Sequence, residues 1–396
     1  MVTNMNTEIN STPRENAQPK TKLFKLDVRA YTMIVSLVGI WLLFSFLNET
    51  FLTPRNLSNL FVQMSVTSVL AIGMVLVIVA GQIDLSVGSI VGLTGAIAAI
   101  LNVWLEWDTT PVIIVTILVG VVIGFFQGWL VAYKAIPAFI VTLGGMLVFR
   151  GILLGLTGGA TISSLSPGIK FLGKGYVEPF ISIIAGLLAI AATVFFMIRK
   201  RINRAKYGFE LTKNIVFALQ MLGMAILIVG FVFAMNQYRG VPIPFVIVIF
   251  LALLFAFIAR KTIFGRQVFA VGGNAEAARL SGINIKKRIL SVFILCNTLA
   301  AIAGLILTAR LDAATTSAGT MYELDAIAAC VIGGTSLIGG VGTIPGALLG
   351  ALIMASLDNG MSIINLDSYW QSIVKGSILV LAVWVDIYSR KKQASK

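Results

Sequence analysis

Twelve apolar runs, most of them close to 20 residues long, divide this chain and leave it little choice of fold. They lie near 31–47, 62–81, 87–103, 111–132, 138–157, 178–198, 215–234, 242–259, 289–310, 324–338, 343–357 and 369–386. A helix needs about 20 largely apolar residues to cross a bilayer, where no water is present to satisfy backbone polar groups. A water-facing globule carries roughly 25% charged residues. Here the figure is 12%, against 58% hydrophobic. The expected fold class is all-α: a polytopic integral membrane protein with about 10–12 transmembrane helices, some short or broken. The runs at 324–338 and 343–357 are short and separated by the Gly-rich stretch Gly333 to Gly342. One or both are expected to be half-helices or re-entrant.

The formal charge of +14 would suggest a nucleic-acid ligand in a soluble protein. Here the cations sit in loops and report membrane orientation, so no nucleic-acid partner is expected. Lys and Arg gather in 1–30, 199–213, 260–288 and 387–396, with Lys134 between two runs. The opposite loops hold only Arg55, Lys170, Lys174, Arg239 and Arg310, while Arg150 and Lys375 fall inside runs. The positive-inside rule then places the basic segments and both termini in the cytoplasm. Residues 1–30 are polar and are expected to form a disordered tail, and 387–396 a basic tail. No small-residue cleavage site follows the first run, which reads as an uncleaved span. Removing 178–234, two runs and a basic loop, would leave the orientation of everything downstream unchanged. That is the profile of an inserted helical pair.

Several chemistries are excluded. The chain has no histidine, and its two cysteines, Cys296 and Cys330, lie within apolar runs as small packing residues. No metal site or cofactor is expected. No GxxxxGK[ST] occurs, so the chain has no Walker-type nucleotide site of its own. No nucleophile–base constellation is present, and the chain is not expected to be an enzyme.

The segment 260–288 is the most organised polar stretch. Arg260, Lys261, Arg266, Arg279, Lys286, Lys287 and Arg288 bracket a short Ala-rich sequence from Gly272 to Ile283. Gly272-Gly273-Asn274 terminates or turns the chain, and Asn274 is positioned as an N-cap for a helix over Ala275–Leu280. Glu276 stands near the positive helix end, and Gly282 ends the helix in the left-handed region. So short a helix is not stable alone. A partner surface would complete it; the other reading is an amphipathic turn at the lipid headgroups.

Within the runs, polar residues mark candidate gates or pathway positions. Asp84 and Ser86 stand in Gly81-Gln82-Ile83-Asp84-Leu85-Ser86-Val87-Gly88, either as caps of the next helix or as a gate at a broken helix. Arg150 sits at mid-run and must face protein or water, paired with a carbonyl or acid, or contacting substrate. Asp325 opens one run, and Asp358 and Asn359 close another. They serve either as caps and turn formers or as hydrogen-bonding groups for hydroxyls along a pathway. Glycines four apart, Gly120/Gly124/Gly128 and Gly346/Gly350, read as close helix packing.

The segment from Gly272 to Ile283 resembles the coupling loop of ABC-transporter permeases for monosaccharides, the branch serving ribose, xylose, galactose and arabinose. Gly81 to Gly88, Pro137 to Gly144 and Ala329 to Leu337 resemble further motifs of that family, so the likeness covers most of the chain. Tyr238 to Pro242, Ala355 to Ser362 and the inserted pair bring it nearest to the xylose-transporting members. Gln82 departs from the family's first motif, where Gly or Glu is frequent. The resemblance implies a type II importer-like permease with a cytoplasmic ATP-binding subunit docking on Gly272, Gly273, Asn274, Glu276, Ala277, Arg279 and Gly282. It also implies an extracytoplasmic sugar-binding protein, a second copy of the permease and a bacterial inner-membrane location, with ATP bound by the partner subunit. The competing reading is a stand-alone secondary transporter using Asp84, Asp325 and Arg150 for ion coupling.

Overall fold

The computed structural model describes residues 28–209, 211 and 213–394. Apart from its last three residues, the N-terminal tail expected over 1–30 lies outside the described residues. Helices supply nearly all the regular structure. The first five are α1 (Val28–Leu47), α2 (Pro54–Val79), α3 (Val87–Ala99), α4 (Thr109–Tyr133) and α5 (Ala138–Thr157). Next come α6 (Pro167–Lys174), α7 (Pro179–Lys206), α8 (Asn214–Asn236), α9 (Ile243–Lys261), α10 (Ile263–Gly273) and α11 (Ala275–Leu280). The last four are α12 (Ile285–Leu311), α13 (Tyr322–Ile332), α14 (Ile344–Ile363) and α15 (Ser368–Ala394). A π-helical turn, Ile100–Trp104, extends α3. Nine helices among the described residues are long and apolar enough to cross a bilayer: α2, extended α3, α4, α5, α7, α8, α9, α12 and α14. The chain is a multi-pass membrane protein.

Following the chain from helix to helix assigns each connection to a face. The basic connections 207–213 and 262–284 share one, here termed the basic face. On the opposite face, two antiparallel pairs of two-residue strands clip the loops together. β1 (Ile162–Ser163) pairs with β4 (Ala313–Ala314), and β2 (Tyr176–Val177) with β3 (Val241–Pro242).

α2 is the axis of the fold. Thr53 caps it by accepting from the Asn56 amide, and Pro54 opens its first turn. Every residue from Met64 to Val79 is buried, as an all-round apolar sequence requires. α9, α12, α13 and α14 surround it. Small residues let these backbones approach, since packing rather than hydrophobic contrast drives association in lipid. On α4, Gly120, Gly124 and Gly128 form the predicted packing face, directed at α12. A Cβ at Gly124 would lie 2.7 Å from both Ile294 Cα and Phe293 O. Gly346 and Gly350 do the same for α14, lying against Gly333 O and Ala329 O at the end of α13.

Two expectations need correction, and of the two short runs one is a half-helix. The short runs resolve unequally: α13 stops at Ile332, whereas α14 is a full helix of 20 residues. Asp358 and Asn359 therefore lie inside α14 and do not end it, because distant side chains satisfy them (below). The basic stretches are also more helical than their charge suggests. α7 continues through Arg199–Lys206, α10 fills 263–273, and α15 extends to Ala394 through most of the expected tail. Lys and Arg are good helix formers, and cations at a helix C-terminus oppose the helix dipole favourably.

The pair α7 and α8 stands away from this core. Its buried residues, Ser182, Gly186 and Met235, all lie at the ends facing away from the basic loop.

Gly124→Val should lower the melting temperature of the purified protein, with about 1–3 kcal/mol lost to overpacking. Gly223→Ala on α8, where a Cβ meets nothing within 4 Å, should leave it unchanged or slightly raised. Equal melting of the two variants would contradict the α4–α12 packing described.

Candidate functional site

The docking helix forms as its local sequence dictates. Asn274 Oδ1 accepts the Ala277 amide at 2.9 Å. At the other end the Gly282 amide donates to Arg279 O and the Ile283 amide to Ala278 O, with Gly282 at φ +80°. These two bonds make a Schellman closure, which places the left-handed residue at glycine. Glu276 and Arg279 form an i,i+3 ion pair on the surface. Leu280 is 80% exposed, and Ala278 faces inward. α11 thus presents a charged pair and an apolar side chain outward from the basic face.

What lies beneath it was not legible from the sequence. Of the two readings of Gly272-Gly273-Asn274, termination holds: the glycines are the last residues of α10 and Asn274 is its C-cap. Gly272 is pressed against Val79 O at the end of α2, so closely that a Cβ there would overlap it. The turn at Gly339-Gly340 enters the same place. Gly340 donates its amide to Val79 O at 2.9 Å, and a Cβ on it would sit 2.8 Å from Gly273 Cα. Gly339 lies against Gly272 O and Gly81 Cα. Three connections, 79–81, 272–273 and 339–340, therefore cross at one point directly under the docking helix. Each has a membrane-crossing segment on its far side.

The connection after α2 leads to Asp84 and Ser86, both buried. Asp84 Oδ1 accepts from the Ser86 amide (2.9 Å) and the Ser86 hydroxyl (2.6 Å). Neither side chain caps α3 through its first-turn amides, so the capping expectation is replaced by a local turn held by Asp84. Gln127 Nε2 on α4 donates to Ser86 Oγ at 2.9 Å. Asn297 Nδ2 on α12 reaches Gln127 Oε1 at 3.2 Å. Asp84, Ser86, Gln127 and Asn297 thus form a buried polar cluster where α3 starts within the fold.

Arg150 is elsewhere. Its Nη1 donates to Thr316 O (2.9 Å) and Ala318 O (2.8 Å). The non-helical segment 315–321 runs along α3 at this point. Gly92 leaves room for it, since a Cβ there would lie 2.6 Å from Ala318 O. Arg150 therefore takes the structural role weighed for it, pairing with carbonyls and holding the lead-in to α13.

Asp325 and Asp358 come together around Lys375, a cation within an apolar run that the sequence does not link to either acid. Lys375 Nζ on α15 lies 3.1 Å from Asp325 Oδ2 and 2.8 Å from Asp358 Oδ1. Asp325 and Lys375 line a cavity of about 230 Å³ with Thr320, Gln371 and Ser372. Asn359 serves a different place. It exchanges hydrogen bonds with Asn56 (2.8 and 3.1 Å) and reaches Gln63 Oε1 at 3.5 Å. Gln63, with Asn59, Tyr176, Arg239, Arg310 and Lys174, lines a polar cavity of about 400 Å³. This vestibule opens on the face opposite the basic one. The signal that could have found Gln127, Asn297, Gln63 and Lys375 is their presence as polar residues within apolar runs.

The rim of that vestibule is pinned by Asp312, which accepts from the Leu165 amide (3.1 Å) and pairs with Lys170 at 3.0 Å and Lys174 at 3.7 Å. Burial alone would raise this carboxyl. The hydrogen bonds from Lys170 and Leu165 and the two ammonium groups outweigh burial and hold it below the usual range. The pairing accordingly contributes above the ordinary carboxylate range and is lost only as pH falls through the lowered value.

A family model described as the permease component of branched-chain amino acid transport systems matches residues 56–383. The chain belongs to this permease family. The permease is 47% identical to the xylose transport system permease protein of Escherichia coli strain K12, over 93% of its own length and 94% of the relative's. It is 47% identical to the protein of the same description from Haemophilus influenzae, over 94% and 99% of the two chains. A ribose import permease protein of Escherichia coli strain K12 is 36% identical, over 94% and 96%. No solved structure matches the permease.

In the permease, Lys375→Met leaves Asp325 and Asp358 without their shared cation. Breaking a buried ion pair from one side costs about 3–5 kcal/mol. The variant should melt well below the wild type in detergent, and Asp325→Asn added to it should recover part of the loss. No recovery in the double variant would show that the three groups are not coupled.

Proposed function

We propose that this chain is the membrane-spanning subunit of an ATP-binding-cassette importer for a pentose, D-xylose, and is not itself an enzyme. The observation that carries this reading is the 47% identity to xylose permeases over nearly the whole of both chains. The ribose permease, also a pentose carrier by description, stands next at 36%. The basic face is cytoplasmic, with both termini on that side, as the distribution of Lys and Arg argues. A separate ATPase binds the ATP and docks on α11, contacting Glu276, Arg279 and Leu280. An extracytoplasmic sugar-binding protein delivers xylose to the opposite face, and a second copy of the chain completes the pathway. The permease itself needs no cofactor.

The geometry suits such a division of labour. A load on α11 passes into α10 and then to the glycine crossing under it. From there it reaches the turn ahead of Asp84 and the turn between α13 and α14. Both turns precede helices that start within the fold. The vestibule offers amide, guanidinium and aromatic groups, which match sugar hydroxyls and apolar sugar faces. The stand-alone transporter gains no support, since Asp325 and Asp358 are engaged by Lys375 and Arg150 by backbone carbonyls.

In proteoliposomes holding the permease, its ATPase and its binding protein, D-xylose should stimulate ATP hydrolysis. The double variant Glu276→Ala/Arg279→Ala should cut that stimulation about tenfold, the effect of losing roughly 1.4 kcal/mol of docking. Unchanged stimulation would remove α11 from the coupling role. Stimulation by ribose and not xylose would correct the substrate.

A further inference from the structure

α7 and α8 form a hairpin tied to the rest of the molecule at one end only. At the end away from the basic face, Phe231 packs edge-on against Phe61 at 4.9 Å and beside Phe245 at 5.1 Å. The Val241 amide reaches Ser182 Oγ at 3.4 Å. Toward the basic face the helices carry exposed apolar side chains, Phe195, Phe196, Leu219 and Leu222 among them. The hairpin therefore enters the acyl region largely wrapped by lipid.

Its tip is strongly basic and concave. Met197, Lys200, Arg201, Arg204, Phe217 and Gln220 line a pocket of about 260 Å³ between the two helices. Arg201 is already engaged: it bonds Asn214 Oδ1 and lies over the Phe217 ring at 4.4 Å, which joins the two helices. Lys200 and Arg204 have no ion pair among the described residues. The pocket thus combines two uncommitted cations, a carboxamide and an apolar wall, at the depth where headgroups meet acyl chains. Basic pockets between membrane helices take anionic lipid headgroups.

We propose that the tip of the α7–α8 hairpin is a binding site for the phosphate headgroup of an anionic phospholipid, with Lys200 and Arg204 contacting the phosphate and Met197 and Phe217 the adjoining acyl chain. The bound lipid fixes the end of the hairpin that the protein leaves unanchored. This assignment is independent of the transport reading, since it requires only a membrane containing anionic lipid.

The test uses the full-length protein reconstituted in vesicles of equal parts phosphatidylcholine and phosphatidylglycerol, extracted gently and examined by native mass spectrometry. Phosphatidylglycerol should be retained in preference to phosphatidylcholine. Lys200→Gln/Arg204→Gln should reduce that retention on the order of 30-fold, the effect of two surface-lipid charge contacts. Lys200→Arg/Arg204→Lys, which keeps both charges, should preserve it and controls for folding. Lys134→Gln/Lys261→Gln removes two cations from the same face outside the pocket and should change it little. Equal retention of both lipids, or equal loss in the two charge-removing variants, overturns the site. Displacement of the lipid by millimolar inorganic phosphate would make it a free-anion site and overturn the lipid assignment.

Discussion

The close approach of three backbones at Gly272, Val79 and Gly340 is the constraint on which the rest of the structure depends. Only residues without a Cβ allow it at Gly272 and Gly340. Gly81 and Gly340 also hold left-handed conformations, which glycine adopts without the cost a side chain would add. α2 ends at this crossing, and its carbonyl at Val79 accepts the Gly340 amide, so an orphan group at a helix C-terminus is satisfied by a segment far along the chain. Because packed interfaces switch between discrete arrangements and do not deform smoothly, a shift of α10 by even a fraction of a helical turn obliges the other two connections to rearrange.

Two cations at membrane depth, Arg150 and Lys375, have fixed partners from remote parts of the sequence. A cation at the bilayer centre costs about 2.5–3.5 kcal/mol on insertion scales. Arg150 offsets this with two carbonyls of the segment before α13, and Lys375 with two carboxylates on α13 and α14. These charges therefore act as fasteners for the parts of the fold that are not continuous helix. The segment 315–321 would otherwise expose backbone polar groups at a depth where only protein contacts can satisfy them.

Sequence reasoning recovered whatever is decided locally. Hydropathy located the crossing helices because the bilayer acts on each run separately. α11 was legible to the residue, since Asn274 and Gly282 act within a few positions of themselves. Glycines four apart on α4 and α14 marked the close-packed faces. The failures share one cause. Asp358 and Asn359 read as a helix end because their stabilising partners, Lys375 and Asn56, are distant in sequence. Gly272-Gly273 read as a termination or a turn, and their packing against Val79 and Gly340 was hidden because those residues are distant in sequence. Lys375 was noticed as an intramembrane cation but not joined to the two acids it binds.

Two mechanical regimes follow from where the small residues sit. Along α2, α3, α4 and α12 they lock neighbouring backbones together, and side chains such as Phe293 and Ile294 fill the remaining space. On α8, Gly223 and Gly230 face open space and fix nothing. The hairpin α7–α8 contributes few residues to the core, and its orientation depends on the Phe61–Phe231–Phe245 cluster, a Val241–Ser182 hydrogen bond and a two-residue strand pair. A membrane protein can tolerate such an appendage because lipid solvates its apolar sides as well as protein would. The same tolerance leaves its basic tip to be positioned by whatever the headgroup layer offers. The rigid core and the lipid-held hairpin thus respond to different forces. Load from the docking helix is carried by the core, while the composition of the surrounding bilayer acts on the hairpin.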